Sequence, residues 1–165
     1  MTIAPPLLSL ADIETARGVL DGVIRETPME PCRPLQAKLG GPVWLKCEHL
    51  QRAGSFKVRG AYLRISRLTD AERARGVVAA SAGNHAQGVA LAARLLGAKA
   101  TVFMPESAPL PKLAATRSYG AEVQLVGQTM KPTTESRMPS RANNAWRNCS
   151  RCDRSRAANT AAGRS

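Results

Sequence analysis

The chain has 165 residues, 44% of them hydrophobic and only 4% aromatic, with a formal net charge of +12 and a pI near 10.6. That length suits one domain of ordinary size, with a core of Ala, Val and Leu rather than of rings. No run approaches the ~18 apolar residues that cross a bilayer, and Met1–Leu10 lacks a basic start and a long apolar stretch, so the expectation is a cytoplasmic protein with reduced thiols and no membrane partner.

A balance this basic ordinarily suggests nucleic acid. The distribution argues against it. Residues 129–165 hold eight of the 24 basic residues (Lys131, Arg137, Arg141, Arg147, Arg151, Arg154, Arg156 and Arg164) against Glu135 and Asp153, which is half of the net charge. Only Trp146 interleaves with them, so the segment reads as an adventitious charge run and no specific nucleic-acid partner is expected. Of the four cysteines, Cys149 and Cys152 form a lone Cys-x-x-Cys. A structural zinc needs about four ligands, and the histidines, His49 and His85, lie far upstream; no metal is expected.

In chain order, Ser9-Leu10-Ala11-Asp12 has the spacing of a capping box with Asp in place of Glu, and Ile13, Ala16, Leu20 and Val23 follow at helical spacing. A helix over about 10–23 is predicted. Pro28, Pro31 and Pro34 break the next stretch, and a short helix over 35–39 ends at Gly40-Gly41. Residues 43–48 read as a strand with Val43, Leu45 and Cys47 on one face. A loop over 49–54 leads to Ser55, placed to cap a helix through Val58, Ala61, Tyr62 and Ile65. Val77–Ala80 is a short apolar strand followed by the turn Ser81–Asn84. The helix over about 85–96 is apolar on most sides and so should be deeply buried. A strand over 100–104 stops at Pro105, a helix over about 110–119 ends at Gly120, and a last strand covers 122–126.

From Val77 to Val126 strands and helices thus alternate. The fold class is α/β, with a parallel sheet whose ligands bind at the carboxyl ends of the strands. Residues 129–165 contain no Leu, Ile, Val, Phe or Tyr. They cannot offset about 1–2 kcal/mol of backbone ordering per residue, and disorder is expected there. The domain is therefore placed at 1–128, with a basic tail over 129–165.

Two short motifs carry the chemistry. Gly54-Ser55-Phe56-Lys57-Val58-Arg59-Gly60-Ala61 sets one lysine where a loop becomes a helix, and Ser81-Ala82-Gly83-Asn84-His85-Ala86-Gln87-Gly88 opens a second helix with a turn of small residues. A lysine amine can bond to an aldehyde, and a helix start offers free N–H groups and a positive dipole end to an anion. Each motif has a plainer explanation. Lys57 alone is a surface lysine, Phe56 is core filling, Asn84 is a helix cap, and Gly54 and Gly60 are turn or packing glycines. Arg59 is expected to be structural, in a salt bridge.

Together the two motifs, in this order and spacing, resemble the pyridoxal-phosphate (PLP) enzymes of the threonine dehydratase and serine racemase group. The resemblance covers roughly the first three quarters of the chain and stops near Gln128. It implies a partial tryptophan-synthase-β-like fold and PLP as cofactor. Lys57 would be the catalytic residue, bonded to the cofactor aldehyde through a neutral amine that burial favours. Phe56 and Asn84 would contact the cofactor, Asn84 at its ring hydroxyl oxygen. Ser81, Gly83, Asn84 and His85 would hold the carboxylate of a small amino-acid substrate. The implied reaction converts L-threonine to 2-oxobutanoate and ammonia, with L-serine as a second substrate, in the setting of isoleucine biosynthesis. Relatives performing racemisation remain an alternative. Such enzymes are usually homo-oligomers.

The family also carries a glycine-rich phosphate loop well beyond position 128. Here Gly163 stands alone in that region, so weak activity or an inactive fragment is the competing expectation. Codons for Tyr-Glu-Ala read one base late give Met-Lys-Pro, the residues at 130–132. This coincidence motivates the hypothesis of a frameshifted end to a longer enzyme. A gene with no sheet-forming sequence in its other frames beyond Gln128 would count against it.

Overall fold

The computed structural model describes residues 8–127. The disorder expected over 129–165, the Cys149–Cys152 pair and the residues at 130–132 lie outside the described residues.

The first helix, α1 (Leu10–Leu20), begins as its sequence dictates. The Asp12 amide donates to Ser9 Oγ at 3.2 Å, and the Asp12 carboxylate accepts from the Ser9 amide at 2.8 Å. The Ser9 hydroxyl, which donates to the Asp12 carboxylate at 2.7 Å, and then the Ser9 amide hold that carboxyl below its ordinary range. The helix stops short of Val23 because the chain turns at Gly22, whose φ is 67°.

Strand β1 (Met29–Pro31) pairs antiparallel with β2 (Trp44–Lys46), Glu30 opposite Leu45. Three nearby prolines predict an irregular stretch here. Instead the Cys47 amide donates to the Pro28 carbonyl at 3.0 Å and the Cys32 amide to the Val43 carbonyl at 2.9 Å, closing the ladder at both ends. Pro31 is tolerated because a two-stranded ribbon is all edge. Of the residues predicted to share a face, Cys47 is buried, but Leu45 is 46% exposed, since nothing among the described residues covers it. Between the strands, α2 (Arg33–Leu39) ends at Gly40 in the left-handed conformation.

Two 3₁₀ turns (Glu48–Leu50 and Arg52–Gly54) lead into α3 (Lys57–Ser66), then α4 (Asp70–Ala74), β3 (Val77–Ala80), α5 (Asn84–Leu95), β4 (Ala100–Met104), α6 (Leu110–Ser118) and β5 (Glu122–Leu125). The strands form a parallel sheet in the order β3-β4-β5, with Val77 opposite Ala100 and Val102 opposite Val123. This is the predicted α/β arrangement. Helix α4 is an addition to the predicted elements, although Thr69 and Glu72 make a second reciprocal cap at its start.

The core gathers where α5 meets the sheet and α3. Every residue of α5 from Ala86 to Ala93 is buried, as a sequence apolar on most sides predicts. Four of those eight are alanines, whose small side chains let backbones approach. Met104, Val102 and Val58 are almost fully enclosed. A core of this kind gains less from each residue than an aromatic one and depends on close contact, so added bulk is costly, about 1–3 kcal/mol for each misfit.

Candidate active site

Lys57 is the first residue of α3, and the residues before it are tightly held. Ala53 adopts φ 60°, a left-handed conformation that costs a non-glycine residue about 1–2 kcal/mol, and Gly54 follows at φ 63°. Gln51, buried at 3% exposure, holds this bend in place. Its Oε1 accepts from the amides of Arg25 and Arg52, each at 2.9 Å, and its Nε2 donates to the Arg25 carbonyl at 2.7 Å. Ser55 is also buried, and its Oγ accepts from the Lys57 amide at 3.4 Å, although Phe56 occupies the cap position.

Arg59 takes the structural role expected of it. Its Nε and Nη2 donate to the two carboxylate oxygens of Glu48 at 2.8 and 2.6 Å, a two-pronged pair that ties α3 back to the loop before it. Thr27 Oγ1 donates to the same carboxylate at 2.6 Å. The Arg59 bonds, seconded by Thr27, hold the Glu48 carboxyl well below its ordinary 4.5, at about 2. Because the folded value lies below the unfolded one, this contribution is complete above about pH 4.5 and is lost as the pH falls toward 2. Solvent reaches both side chains, with Arg59 30% exposed, so screening reduces its worth to about 1–2 kcal/mol. Glu48→Gln is therefore expected to flatten the fall in melting temperature between pH 4.5 and 2. An acid profile identical to that of the unsubstituted chain would contradict it.

The Lys57 backbone lies against α5. A Cβ built at Gly88, the last residue of the second motif, would sit 3.0 Å from Lys57 C and 3.1 Å from Lys57 Cβ and Val58 N. Gly88 is thus the residue that lets α3 and α5 touch. Gly60, read as a turn or packing glycine, packs against nothing, since a Cβ there meets no atom within 4 Å. Beyond Cβ the lysine turns outward. The side chain is exposed, with Nζ 4.8 Å from the centre of the Phe56 ring. The burial expected for Lys57 is therefore absent among the described residues, because only its backbone and Cβ are against α5. Phe56 is 57% exposed and does not fill the core; its ring stands beside the amine.

The turn Ser81–Asn84 leaves the carboxyl end of β3, where a parallel sheet presents its ligand sites. The Ser81 amide donates to the Phe103 carbonyl at 3.0 Å, extending the β3–β4 ladder, and Ser81 Oγ accepts from the Gly83 amide at 3.2 Å. Gly83 holds the cap position of α5 with no side-chain capping bond, so Asn84 is the first helical residue rather than the cap. As at any helix start, the first-turn amides of α5 have no acceptor within the helix. His85 lies on this first turn and is exposed.

Asn84 Oδ1 instead accepts from Lys112 Nζ at 2.5 Å. Sequence reasoning missed Lys112. It lies in the first turn of α6, and nothing in its local sequence marks it.

Lys57 and Phe56 therefore stand exposed at an edge of the domain, at the start of α3, and α3 meets at Gly88 the helix that the Ser81–His85 turn opens. A concavity of about 540 Å³ lies elsewhere, against Arg25, Arg52, Arg94 and Tyr119, and is lined by neither Lys57 nor any residue of 81–85. The edge fits two demands of PLP: an amine for its aldehyde, and a donor for its ring oxygen, because Asn84 has its acceptor occupied and its Nδ2 hydrogens left over.

Comparison with known proteins agrees. A family model described as pyridoxal-phosphate dependent enzyme matches residues 20–162. L-threonine ammonia-lyase of Thermotoga maritima is 48% identical over 130 residues, 79% of this chain and 32% of that protein. L-threo-3-hydroxyaspartate ammonia-lyase of a Pseudomonas species is 54% identical over 117 residues, 71% of this chain and 37% of that protein. The serine racemase of Dictyostelium discoideum superposes with a TM-score of 0.68 at 37% identity, over 74% of this chain and 40% of that one. The chain spans about a third of the length of the curated relatives it matches. With the family model covering most of the sequence and a lysine set against a small-residue helix start, the chain belongs to the pyridoxal-phosphate-dependent enzyme family.

Proposed function

We propose that this chain carries the lysine-bearing part of a PLP-dependent ammonia-lyase that converts L-threonine to 2-oxobutanoate and ammonia, with L-serine as a second substrate. The observation that carries this reading is the packing of Lys57 through Gly88 onto the helix whose N-terminal turn is Ser81–His85. PLP, when bound, supplies an aldehyde carbon and a ring that accepts electrons from the substrate α-carbon. Lys57 Nζ would hold that aldehyde and, once released from it, would serve as the base for the substrate α-proton. The Ser81–His85 turn, at the positive end of α5, would hold the substrate carboxylate and so aim the Cα–H bond at Lys57. Asn84 Nδ2 would donate to the ring oxygen of the cofactor.

A racemase reading is favoured by one observation, the superposition on serine racemase. The two reactions diverge once the α-proton has left. A lyase loses the β-hydroxyl, and a racemase returns the proton to the opposite face. Incubating the full chain with PLP and L-threonine is expected to give 2-oxobutanoate and ammonia in equal amounts. D-serine formed from L-serine without a 2-oxo acid would favour the racemase. A chain that stays colourless in excess PLP would overturn both.

A further inference from the structure

We propose that Lys112 is a positioning residue that locks the side-chain amide of Asn84, so that Asn84 offers only N–H donors to whatever occupies the site. This rests on the reading of Asn84 as a group facing the PLP ring, but the lock itself is a property of the protein alone.

A lysine ammonium has three N–H donors and no acceptor, whereas an asparagine amide has one acceptor oxygen and two N–H donors. Contact between Lys112 Nζ and Asn84 is favourable only when Oδ1 faces the lysine, and that is the arrangement found, at 2.5 Å. The amide orientation is therefore dictated by its partner rather than by a choice between look-alike atoms. With Oδ1 occupied, the two Nδ2 hydrogens point away from Lys112.

The lysine is itself held. Its amide donates to the Pro109 carbonyl at 2.9 Å, and its carbonyl accepts from Oγ1 of Thr116 at 2.8 Å, a side chain with no solvent exposure. Pro109 and Pro111 restrict the backbone on either side of Leu110. On the other side Asn84 has no capping duty, because Gly83 caps α5 without a side-chain bond. Its side chain is thus free of the usual local work of an asparagine at a helix start. The bond spans 28 residues of sequence and joins the first turns of α5 and α6, both partly buried. A donor held in this way suits a ring oxygen bearing negative charge. An amide free to rotate would present its oxygen to that charge in part of the population.

Two measurements on the full chain decide the matter. In the ligand-free protein labelled with ¹⁵N, the Asn84 side-chain NH₂ resonances are expected to show restricted motion, which Lys112→Met releases and Lys112→Arg restores. Equal mobility in all three overturns the lock, whether or not PLP binds. With PLP, Lys112→Met is expected to weaken cofactor binding roughly tenfold and to change its visible absorbance, whereas Lys112→Arg stays within about threefold. A loss confined to KM for the amino acid, with colour and cofactor affinity unaltered, overturns the positioning role in favour of direct substrate contact. Melting temperatures within about 3 °C of one another confirm that the variants are folded. If the unsubstituted chain takes up no PLP, the functional reading fails, and the Asn84 mobility alone decides the lock.

Discussion

Lys57→Ala is expected to abolish borohydride-stable attachment of PLP to the chain while leaving it folded. The two halves of this expectation have separate causes. The Lys57 side chain is exposed and rests beside the Phe56 ring, itself mostly exposed. Truncation at the first position of a helix removes no buried surface and keeps a good helix former, so the stability change should stay within about 0.5 kcal/mol. The loss is then chemical. Any turnover of L-threonine should fall by roughly 10²–10⁴-fold, the scale of losing a positioned base. Mass spectrometry of the reduced, digested protein reads the result directly, as a cofactor-bearing peptide that contains Lys57 and disappears in the variant. Trapping in unchanged yield on another lysine, Lys112 or Lys46 for instance, would show that the Gly-Ser-Phe-Lys motif had been misassigned.

That experiment probes the part of the molecule most legible in the sequence. The strands at 77–80 and 100–104 are largely apolar and that at 122–125 alternates polar with apolar residues, each with glycine or proline close by, and local pattern alone places them within a residue or so. The buried helix between the first two is equally plain, because a segment apolar on most sides must put most of its surface inside. The ribbon of β1 and β2 is half hidden, since its first strand contains Pro31 and its pairing partner lies beyond another helix. Strand propensity is local, whereas strand pairing is not. Helix α4 leaves a signal in the Thr69–Glu72 spacing, but five residues make too short a window for apolar periodicity.

The site divides along the same line. Motif wording singles out Lys57 and Asn84. It also suggests an ion pair for Arg59, but its partner Glu48 lies eleven residues back across a loop and is identifiable only once the chain is folded. Lys112 carries no local mark at all, because its significance consists entirely of which residue α6 brings it to. The glycines make the point most sharply. Gly60 and Gly88 look alike in sequence, yet one faces open space and the other the backbone of Lys57.

Gly88→Val should for that reason be the most damaging single substitution in the contact between the motifs. The new Cβ would stand 3.0–3.1 Å from Lys57 C, Lys57 Cβ and Val58 N. None of these is the far end of a flexible side chain, so relief requires moving α3 relative to α5. The two γ-carbons of valine add to the overlap and restrict its rotamer in the helix. A cost of about 3 kcal/mol is expected, at the upper end for an overpacked core, which corresponds to a melting temperature lower by roughly 10 °C. Gly60→Ala, in the open middle of α3, should instead stabilise by about 0.5–1 kcal/mol, because it removes only the backbone entropy of a helical glycine. The pair separates packing from catalysis. Well below its melting temperature, Gly88→Val should still be folded but should trap less PLP at Lys57, because the amine moves with the helix that carries it, whereas Gly60→Ala should trap as much as the unsubstituted chain. If Gly88→Val melts and traps normally, α3 does not rest on α5 at this point, and the geometry that brings Lys57 to the Ser81–His85 turn is wrong.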